Sequence, residues 1–331
     1  MTELAHHPTV IVVGSVNMDL VFTGIAALPT PGQTVASNGF QIMPGGKGAN
    51  QASAAARLGA QVEFVSAIGT DDLGDQAWAD LEASGVNLTN VARVNTSTGV
   101  AGVLIEDSGE NVVIVVPGAN ATLKAADAAP IAAGIAAGVA AGVAAGVVSG
   151  VANNRATASG VPSSAPIVVL ACLEVPVDVV TAWSRVAREH GWTFILNPAP
   201  APATPLPAEL LTNTTIITPN ETELTALGDG TVEFLQKAGV DTVIVTRGGD
   251  GADLYEAGAA LFHQPAFPAN PVDTTGAGDA FNGALAFAIA AGHSIRDAVA
   301  VAGATGALST RRVGARDALP TPAEVAELRG R

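Results

Sequence analysis

The sequence contains few of the residues on which several classes of protein depend. Its one cysteine, Cys172, excludes an intramolecular disulfide framework and a zinc site built from cysteines. Aromatic residues make up only 4% of the chain, so aliphatic side chains must build the core that a hydrophobic fraction of 48% allows. The first residues show no basic segment followed by a long apolar run, so we expect no signal peptide and a cytoplasmic protein.

Positive charge is also scarce. The chain has 15 lysines and arginines against 30 aspartates and glutamates, a formal net charge of −15. Such an acidic surface repels nucleic acids and anionic membranes, so we expect neither as a partner. Small anionic substrates stay possible, because a few backbone dipoles can bind phosphate on an acidic protein.

Long apolar runs are missing, with one exception at residues 131–150, where a glycine occurs at every fourth position among Ala, Ile, Val and one Ser. Three interpretations are open: a transmembrane helix, a helix at the solvent edge with a glycine stripe, and a flexible low-complexity arm. Ala and Gly insert weakly into membranes and no aromatic or basic belt flanks the run, which disfavours the first. We predict an insertion at about 131–165 that has no role in the function.

Short apolar runs alternate along the chain with longer, alanine-rich stretches of helical character. Continuous apolar runs are typical of strands buried on both faces of a parallel sheet, and their alternation with helices predicts a doubly wound α/β fold. The clearest runs are Val10–Val13, Ile167–Leu173, Thr193–Leu196, Ile216–Thr218 and Thr242–Thr246.

Polar residues follow each of these runs, at the end of the sheet where ligands bind in open α/β folds. They are Asn17 and Asp19, then Glu174, Asn197, Asn220 with Glu223, and Arg247, which is followed by Gly248 and Gly249. The simpler alternative is that loops are polar in general. Because most of these groups are carboxylates and carboxamides, we favour a binding site.

A second β-rich region lies in the first third of the chain. Thr98–Ile105 and Asn111–Val116 flank Asp107–Gly109, a pattern that predicts a hairpin, and Gln33–Met43 is a candidate third strand. These strands need not join the main sheet. We expect them to form a small β lid.

The most informative motif runs from Asp273 to Phe281, where a glycine-rich turn leads into a helical stretch at about 280–291. Free backbone N–H groups at a helix start bind anions, so Gly276, Ala277 and Gly278 are candidates for an anion hole. Asp279 beside them is a candidate base that accepts a hydroxyl proton during phosphoryl transfer. Its alternative role is that of an ordinary aspartate in the first turn of a helix.

Two nucleotide-binding motifs are absent from the sequence. No G-x-x-x-x-G-K-[ST] loop occurs, and Phe281 stands where the last glycine of a dinucleotide fingerprint would be. A nicotinamide-dependent dehydrogenase is therefore disfavoured.

Two weaker motifs have both a functional and a structural interpretation. Gly45–Ala52 contains Lys47 and Asn50, whose donors suit sugar hydroxyls, but it could also be a tight turn before a helix. Asn220 and Glu223 suit a hydrated Mg²⁺ that bridges nucleotide phosphates, but they also suit a helix N-cap with an acidic first turn.

Together these motifs resemble the PfkB family of carbohydrate kinases, and most closely its ribose-phosphorylating members. The resemblance extends from Gly14 to about Pro320 and rests on GGKGAN, NPAPA, TPNETE and DTTGAGDAFNGA, which occur in the family's order. It implies one α/β domain over residues 1–331, with a mainly parallel sheet and a β lid formed by about 19–43 and 96–117. It also implies a homodimer in which two lids meet.

The resemblance further implies roles for individual residues in the phosphorylation of D-ribose at its 5-hydroxyl by ATP. The sugar would contact Asn17, Asp19, Gly46, Lys47, Asn50 and Glu174, with Asp279 as the base and Gly276, Ala277 and Gly278 as the anion hole. ATP would contact Asn220, Thr246, Arg247, Gly248, Gly249, Asp250, Gly251, Gly278 and, at the adenine, Gly303. Mg²⁺ would be linked through water to Glu223. An activating K⁺ would be bound by Asp273, Thr275, Ser309, Arg312, Gly314 and Ala318, of which Ala318 replaces a serine that is frequent in the family.

Two alternatives stay open. One is a kinase of another acceptor, such as deoxyribose, fructose or an adenosine-type nucleoside; Phe22 and Phe40 are the few aromatic residues near the lid that could stack on a base. The other is a non-catalytic regulator that binds a sugar or a nucleotide. The intact Asp279 and the Asn220–Glu223 pair argue against lost catalysis.

Overall fold

The computed structural model describes residues 8–144, 166–257 and 261–330. Its strands are β1 Thr9–Val13, β2 Asn17–Ile25, β3 Gly39–Gly45, β4 Gln61–Gly69, β5 Val91–Val94, β6 Gly99–Glu106, β7 Asn111–Val116, β8 Val168–Cys172, β9 Thr193–Asn197, β10 Ile216–Ile217, β11 Thr242–Thr246, β12 Ala252–Glu256 and β13 Phe262–Gln264. Its helices are α1 Lys47–Arg57, α2 Asp72–Ala83, α3 Ala128–Ala144, α4 Val177–His190, α5 Ala208–Asn213, α6 Glu221–Thr225, α7 Val232–Lys237, α8 Ala277–Ala290, α9 Ile295–Ser309 and α10 Pro322–Arg329.

Nine strands form one large sheet in the order β13-β12-β11-β10-β9-β8-β1-β4-β5. All neighbouring strands from β11 to β5 run parallel, and β12 and β13 add an antiparallel edge. The five apolar runs singled out in the sequence all contribute strands to this sheet. The mainly parallel α/β architecture predicted from them is confirmed.

Both faces of the large sheet are covered, as β1 shows most clearly. Val10 and Val12 belong to the core beneath α1, α8 and α9, whereas Ile11 and Val13 belong to the core beneath α4. All five residues of β1 are buried. This explains why the strand reads as a continuous apolar run and not as an alternating one.

A separate small sheet contains four strands in the order β3-β2-β6-β7. The predicted hairpin is the antiparallel pair β6–β7, and β3 pairs antiparallel with β2. The central pair β2–β6 is parallel, so the small sheet is mixed. Every residue of β7 is exposed.

The alanine- and glycine-rich run begins as a helix, because residues 131–144 lie within α3. One face of α3, formed by Ala128, Ala132 and Ile135, is buried in the core beneath α4, while Gly134 and Gly138 face open space. The solvent-edge helix interpretation is thus confirmed for residues 131–144, and the part at 145–165 lies outside the described residues. In the described ranges, no helix has the length and apolar character needed to cross a membrane.

Candidate active site

Helix α8 begins where the carboxyl ends of the central strands meet. Gly276, its N-cap, has φ 73° and ψ 3°, a left-handed conformation that glycine adopts without strain. The Asn282 amide donates to the Gly278 carbonyl at 2.8 Å and accepts from the Thr218 hydroxyl at 2.6 Å. The first turn of α8, with its unpaired backbone N–H groups, is therefore fastened to the end of β10.

Asp279 lies in this first turn and is 7% exposed. Its two carboxylate oxygens accept hydrogen bonds from α1, Oδ2 from Asn50 Nδ2 at 2.9 Å and Oδ1 from Gln51 Nε2 at 3.0 Å. Gln51 Nε2 also donates to Asn197 Oδ1 at 2.9 Å. Two fixed amide donors orient the carboxylate, and each oxygen keeps a lone pair with which it can accept a proton.

Glu174 gathers several residues of the predicted sugar site. Its Oε2 atom accepts hydrogen bonds from the Ser15 hydroxyl at 2.5 Å, the Lys47 backbone N–H at 2.9 Å and Asn17 Nδ2 at 3.4 Å. The donors come from the end of β1, the start of β2 and the start of α1. Glu174 therefore joins three chain segments, each of which lies more than a hundred residues away from it in the sequence.

Asn17 is held from its other side by Asn120, a residue that sequence analysis missed. Asn120 Nδ2 donates to Asn17 Oδ1 at 2.8 Å and to the Val16 carbonyl at 3.0 Å, and Asn120 Oδ1 accepts from the Val16 N–H at 2.9 Å. Asn120 is 1% exposed. The available signal was a carboxamide in an otherwise apolar stretch directly after the hairpin, and it is a weak one.

The site concentrates charge. Burial raises the pKa of Asp19 to about 6, with the carboxylates of Glu174 and Asp279 adding to the shift and Arg316 and Lys47 opposing it. The Asp279 carboxylate raises the pKa of Lys47, although burial opposes this effect. Lys47 thus stays a cation inside a site of negative charge.

Two adjoining cavities lie along the start of α8. The smaller, of about 240 Å³, contacts Lys47, Asn197, Asn220, Glu223 and Asp279. The larger, of about 500 Å³, is walled by more apolar groups that include Phe267 and Phe281. Both are lined by Thr246, Thr274, Ala277 and Gly278, so the polar cavity at the buried carboxylate and the apolar cavity adjoin at the start of α8.

The predicted nucleotide-binding residues are divided unequally between these two cavities. Thr246, Gly248, Gly249, Gly251, Gly278 and Gly303 line the larger cavity, and Asn220 lines the smaller one. Arg247 and Asp250 are not brought to either wall. The Arg247 guanidinium instead pairs with Asp253 through Nε and with Glu221 through Nη1, both at 2.6 Å.

Asn220 and Glu223 form a capping box at the start of α6. Asn220 Oδ1 accepts from the Glu223 N–H, and Glu223 Oε2 accepts from the Asn220 N–H, each at 2.8 Å. Burial raises the pKa of Glu223, while the Asn220 N–H and Lys47 oppose that shift. The structural interpretation of this motif is therefore confirmed, and Glu223 also lines the polar cavity.

In the described ranges, no three or more His, Cys, Asp or Glu residues form a cluster that could hold a metal ion. A Mg²⁺ ion would therefore be bound as is usual in nucleotide enzymes, where one or two carboxylates assist and the substrate phosphates provide the main ligands. Glu223 beside the polar cavity satisfies that requirement.

The segments predicted to bind a monovalent cation are fastened together by Asp273. Its Oδ1 accepts from the Thr275 N–H and its Oδ2 from the Gly314 N–H, each at 2.9 Å. Burial alone would raise the pKa of Asp273, but these hydrogen bonds outweigh it and the net shift is downward. Asp273, Thr275 and Gly314 are thus brought together.

The side chains of the other predicted cation ligands point to other partners. The Ser309 hydroxyl donates to the Gly306 carbonyl at 2.8 Å, and the Arg312 guanidinium pairs with Glu324. Ala318 is fully buried and has no side-chain oxygen. A cation here would take most of its ligands from backbone carbonyls.

Comparison with known proteins gives a consistent result. The family model described as "pfkB family carbohydrate kinase" matches residues 7–322. The chain is 36% identical over 319 residues to a ribokinase of Bacillus subtilis, covering 96% of this chain and 98% of that protein. It is 33% identical over 286 residues to a deoxyribokinase of Salmonella typhi, covering 83% of each.

Among solved structures, a ribokinase of Arabidopsis thaliana complexed with ribose and ATP superimposes with a TM-score of 0.81. It is 31% identical, and the match covers 98% of this chain and 99% of that chain. The small separate sheet, the glycine-rich start of α8 and the buried Asp279 thus occur in a chain that matches the family model over almost its whole length. The chain belongs to the pfkB family of carbohydrate kinases.

Proposed function

We propose that this chain is an ATP-dependent ribokinase, which transfers the γ-phosphoryl group of ATP to the 5-hydroxyl of D-ribose. The observation that carries the proposal is the position of Asp279, a buried carboxylate oriented by two amides where a polar cavity reaches the start of α8. The similarity to ribokinases over 96% of the chain or more supports this choice of reaction and substrate.

The acceptor sugar would bind between the small sheet and α1. Asn17, Asp19, Lys47, Asn50 and Glu174 supply hydrogen-bond donors and acceptors for the sugar hydroxyls there. Gly46, which lacks a side chain, lets the start of α1 pack against the backbone of residues 15–17 beside them. Asn50 Oδ1 is buried and has no hydrogen-bond partner within the described protein. A buried unpaired acceptor is costly, and a sugar hydroxyl donating to it would remove that cost.

Phosphoryl transfer would proceed in line at the start of α8, where the two cavities adjoin. Asp279 accepts the proton of the attacking hydroxyl, whose oxygen forms a bond to the γ-phosphorus while the bond from that phosphorus to the β–γ bridging oxygen breaks. The backbone N–H groups at Gly276, Ala277 and Gly278 stabilise the charge on the transferred group. Adenine would occupy the larger cavity, near Gly303 and Phe267.

Two cations complete the proposal. Mg²⁺, when bound, neutralises phosphate charge, and Glu223 would contact it through water. K⁺ would lie between the two segments that Asp273 joins, with Thr275, Ser309, Arg312, Gly314 and Ala318 contributing mainly backbone carbonyls. If the backbone carbonyls alone bind K⁺, the site tolerates Ala318 in place of a serine.

We also propose that two copies of the chain associate through their small sheets. Phe40 on β3 is 55% exposed and Ile114 on β7 is 60% exposed, and both strands are edges of the small sheet. Exposed apolar edge strands associate readily, and a second copy brings the same edges. Ile114→Glu should convert a dimer to a monomer in light-scattering measurements, whereas Leu261→Glu, at 54% exposure on the large sheet side, should not.

The function is tested by ADP release with MgATP and a panel of ribose, 2-deoxyribose, fructose and adenosine, each with K⁺ and with Na⁺. Turnover that depends on ribose and rises with K⁺ would support the whole proposal, including tolerance of Ala318. Turnover on deoxyribose or adenosine alone would keep the mechanism and replace the substrate. ATP binding without turnover on any acceptor would favour the regulator.

A further inference from the structure

Arg316 is a buried cation beside the predicted sugar site. It lies in the loop between α9 and α10 and is 8% exposed. Its Nη2 donates to the Gly45 carbonyl at 3.3 Å, and its Nη1 lies 2.8 Å from Asp80 Oδ2 on α2. Arginine is seldom buried to this extent without a specific function or a complete set of partners.

The partner set of Arg316 is incomplete. The Nε and Nη1 atoms of Arg316 and the Oδ2 atom of Asp80 are buried without a well-aligned hydrogen bond within the described protein. The ion pair is close in distance but not in hydrogen-bond geometry. A buried pair of this kind contributes little net stability, so the pair with Asp80 alone does not account for the buried guanidinium.

Gly45, which Arg316 contacts, lies at a junction. It ends β3, pairs with Asn17 on β2 and precedes Gly46, the N-cap of α1. A Cβ atom added to Gly45 would lie 2.2–2.4 Å from the carboxyl atoms of Asp19, so that carboxylate rests directly on the Gly45 Cα. Gly45 is therefore contacted by Asp19 on one side and by Arg316 at its carbonyl.

We infer that Arg316 is a positioning residue for the sugar site: it holds the junction of β3 and α1 in place and, together with Lys47, supplies positive charge near the Asp19 carboxylate. The inference rests on the proposed function, because it assigns Asp19 to the binding of a sugar hydroxyl. Through its side chain, Arg316 also connects the segment that contains Gly314 and Ala318 to the small sheet.

Arg316 also affects the pH dependence of sugar binding. The charged groups that face Asp19 are Glu174, Asp279, Lys47 and Arg316, and burial together with the two carboxylates raises the pKa of Asp19 to about 6. Arg316 opposes that shift, so its removal raises the pKa of Asp19 further. Since an ionised Asp19 accepts the hydroxyl, the KM for ribose should rise as the pH falls through about 6, and at a higher pH in the variant.

The experiment compares Arg316→Gln and Arg316→Lys with the wild-type enzyme at pH values on both sides of 6. Arg316→Gln should raise the KM for ribose about tenfold, the range expected for a hydrogen bond to a charged group, and should move the acidic limb of the KM profile to higher pH. Its kcat and its KM for ATP should stay within about twofold. Arg316→Lys keeps the charge and should restore the position of the limb.

Arg93→Gln is the matched control, because Arg93 also pairs with an aspartate of α2, Asp75, but lies at the surface. It should change neither the KM nor its pH profile. Wild-type turnover on ribose tests the proposed function separately, since its absence would refute that function whatever the variants do.

A wild-type KM and pH limb in Arg316→Gln would overturn the inference, as would an equal loss of affinity for ribose and for ATP. If Arg316→Gln fails to fold, the double variant Arg316→Gln/Asp80→Asn removes both charges of the pair and should restore folding. That variant should still show the raised KM and the shifted limb. Failure of the double variant to fold would make Arg316 a structural residue and would also overturn the inference.

Discussion

Helices α8 and α3 have similar compositions and opposite environments. Both consist mainly of alanine with glycine and a few larger apolar residues, yet most of α8 is buried whereas α3 buries one narrow face. The difference lies in the few residues that are not alanine. In α8, specific contacts are made by Asp279, Asn282 and Gly283. None of the residues of α3 has a charged side chain. An alanine-rich composition therefore predicts a helix, whereas the few residues that are not alanine determine what that helix does.

The contrast is sharpest at Asp279, whose alternative role is that of an ordinary aspartate in a helix first turn. Asp279→Asn should lower kcat by about 10²- to 10⁴-fold, the usual loss for a positioned general base. The KM for ribose should stay within about threefold, because the amide keeps the shape of the carboxylate. Steady-state kinetics with MgATP and ribose measure both values.

Asp297 provides the matched control, since it occupies the first turn of α9 and accepts a hydrogen bond from the Ser294 hydroxyl. Asp297→Asn should leave kcat unchanged and lower the free energy of unfolding slightly. If the two variants had the same kcat, Asp279 would be an ordinary helix-capping aspartate and the proposed mechanism would fail.

The same comparison shows how much could be predicted from the sequence. The five apolar runs became strands because burial on both faces leaves only apolar residues in them. The start of α8 was recognisable because a phosphate-binding turn requires glycines in a fixed order. In both cases the requirement is local, so a short segment contains the whole signal.

The missed residues depend on long-range contacts. Gln51, Asn120 and Arg316 act on partners more than a hundred residues away, and their side chains are of ordinary types for a helix or a loop. Conversely, the family resemblance implied a nucleotide contact for Arg247, and in the structure its guanidinium pairs with the carboxylates of Asp253 and Glu221. A local pattern could not reveal those two neighbours.

A glycine-to-alanine change should have opposite effects in the two helices, and the larger effect is expected in α8. A Cβ atom on Gly283 would lie 2.4 Å from the Gln51 carbonyl oxygen and 2.6 Å from the Ala54 Cβ, so α1 and α8 would have to separate. Overpacking of this kind costs about 1–3 kcal/mol in the free energy of unfolding. Urea denaturation of Gly283→Ala measures this loss.

Gly283→Ala should also lower kcat, because Gln51 and Asn50 on α1 orient the Asp279 carboxylate. The loss in kcat should exceed any change in the KM for ATP, whose predicted site lies on the far side of α8. Normal stability and normal kcat in this variant would show that α1 and α8 tolerate separation. Helices α8 and α3 would then differ only in how much of each is exposed to solvent.

Gly134→Ala in α3 is the counterpart with the smallest expected effect and the opposite sign. Nothing lies within 4 Å of a Cβ atom at Gly134, so the added methyl group meets no obstacle. Alanine in a helix interior is more favourable than glycine by about 0.5–1 kcal/mol, because the unfolded chain loses less backbone freedom when it folds. The free energy of unfolding should therefore rise by about that amount, while the KM for ribose and kcat stay unchanged.

A gain in stability would show that the glycine repeat is not needed for packing in α3. A loss, or a changed KM, would mean that the exposed face of α3 has a partner, and the insertion would no longer be without a functional role.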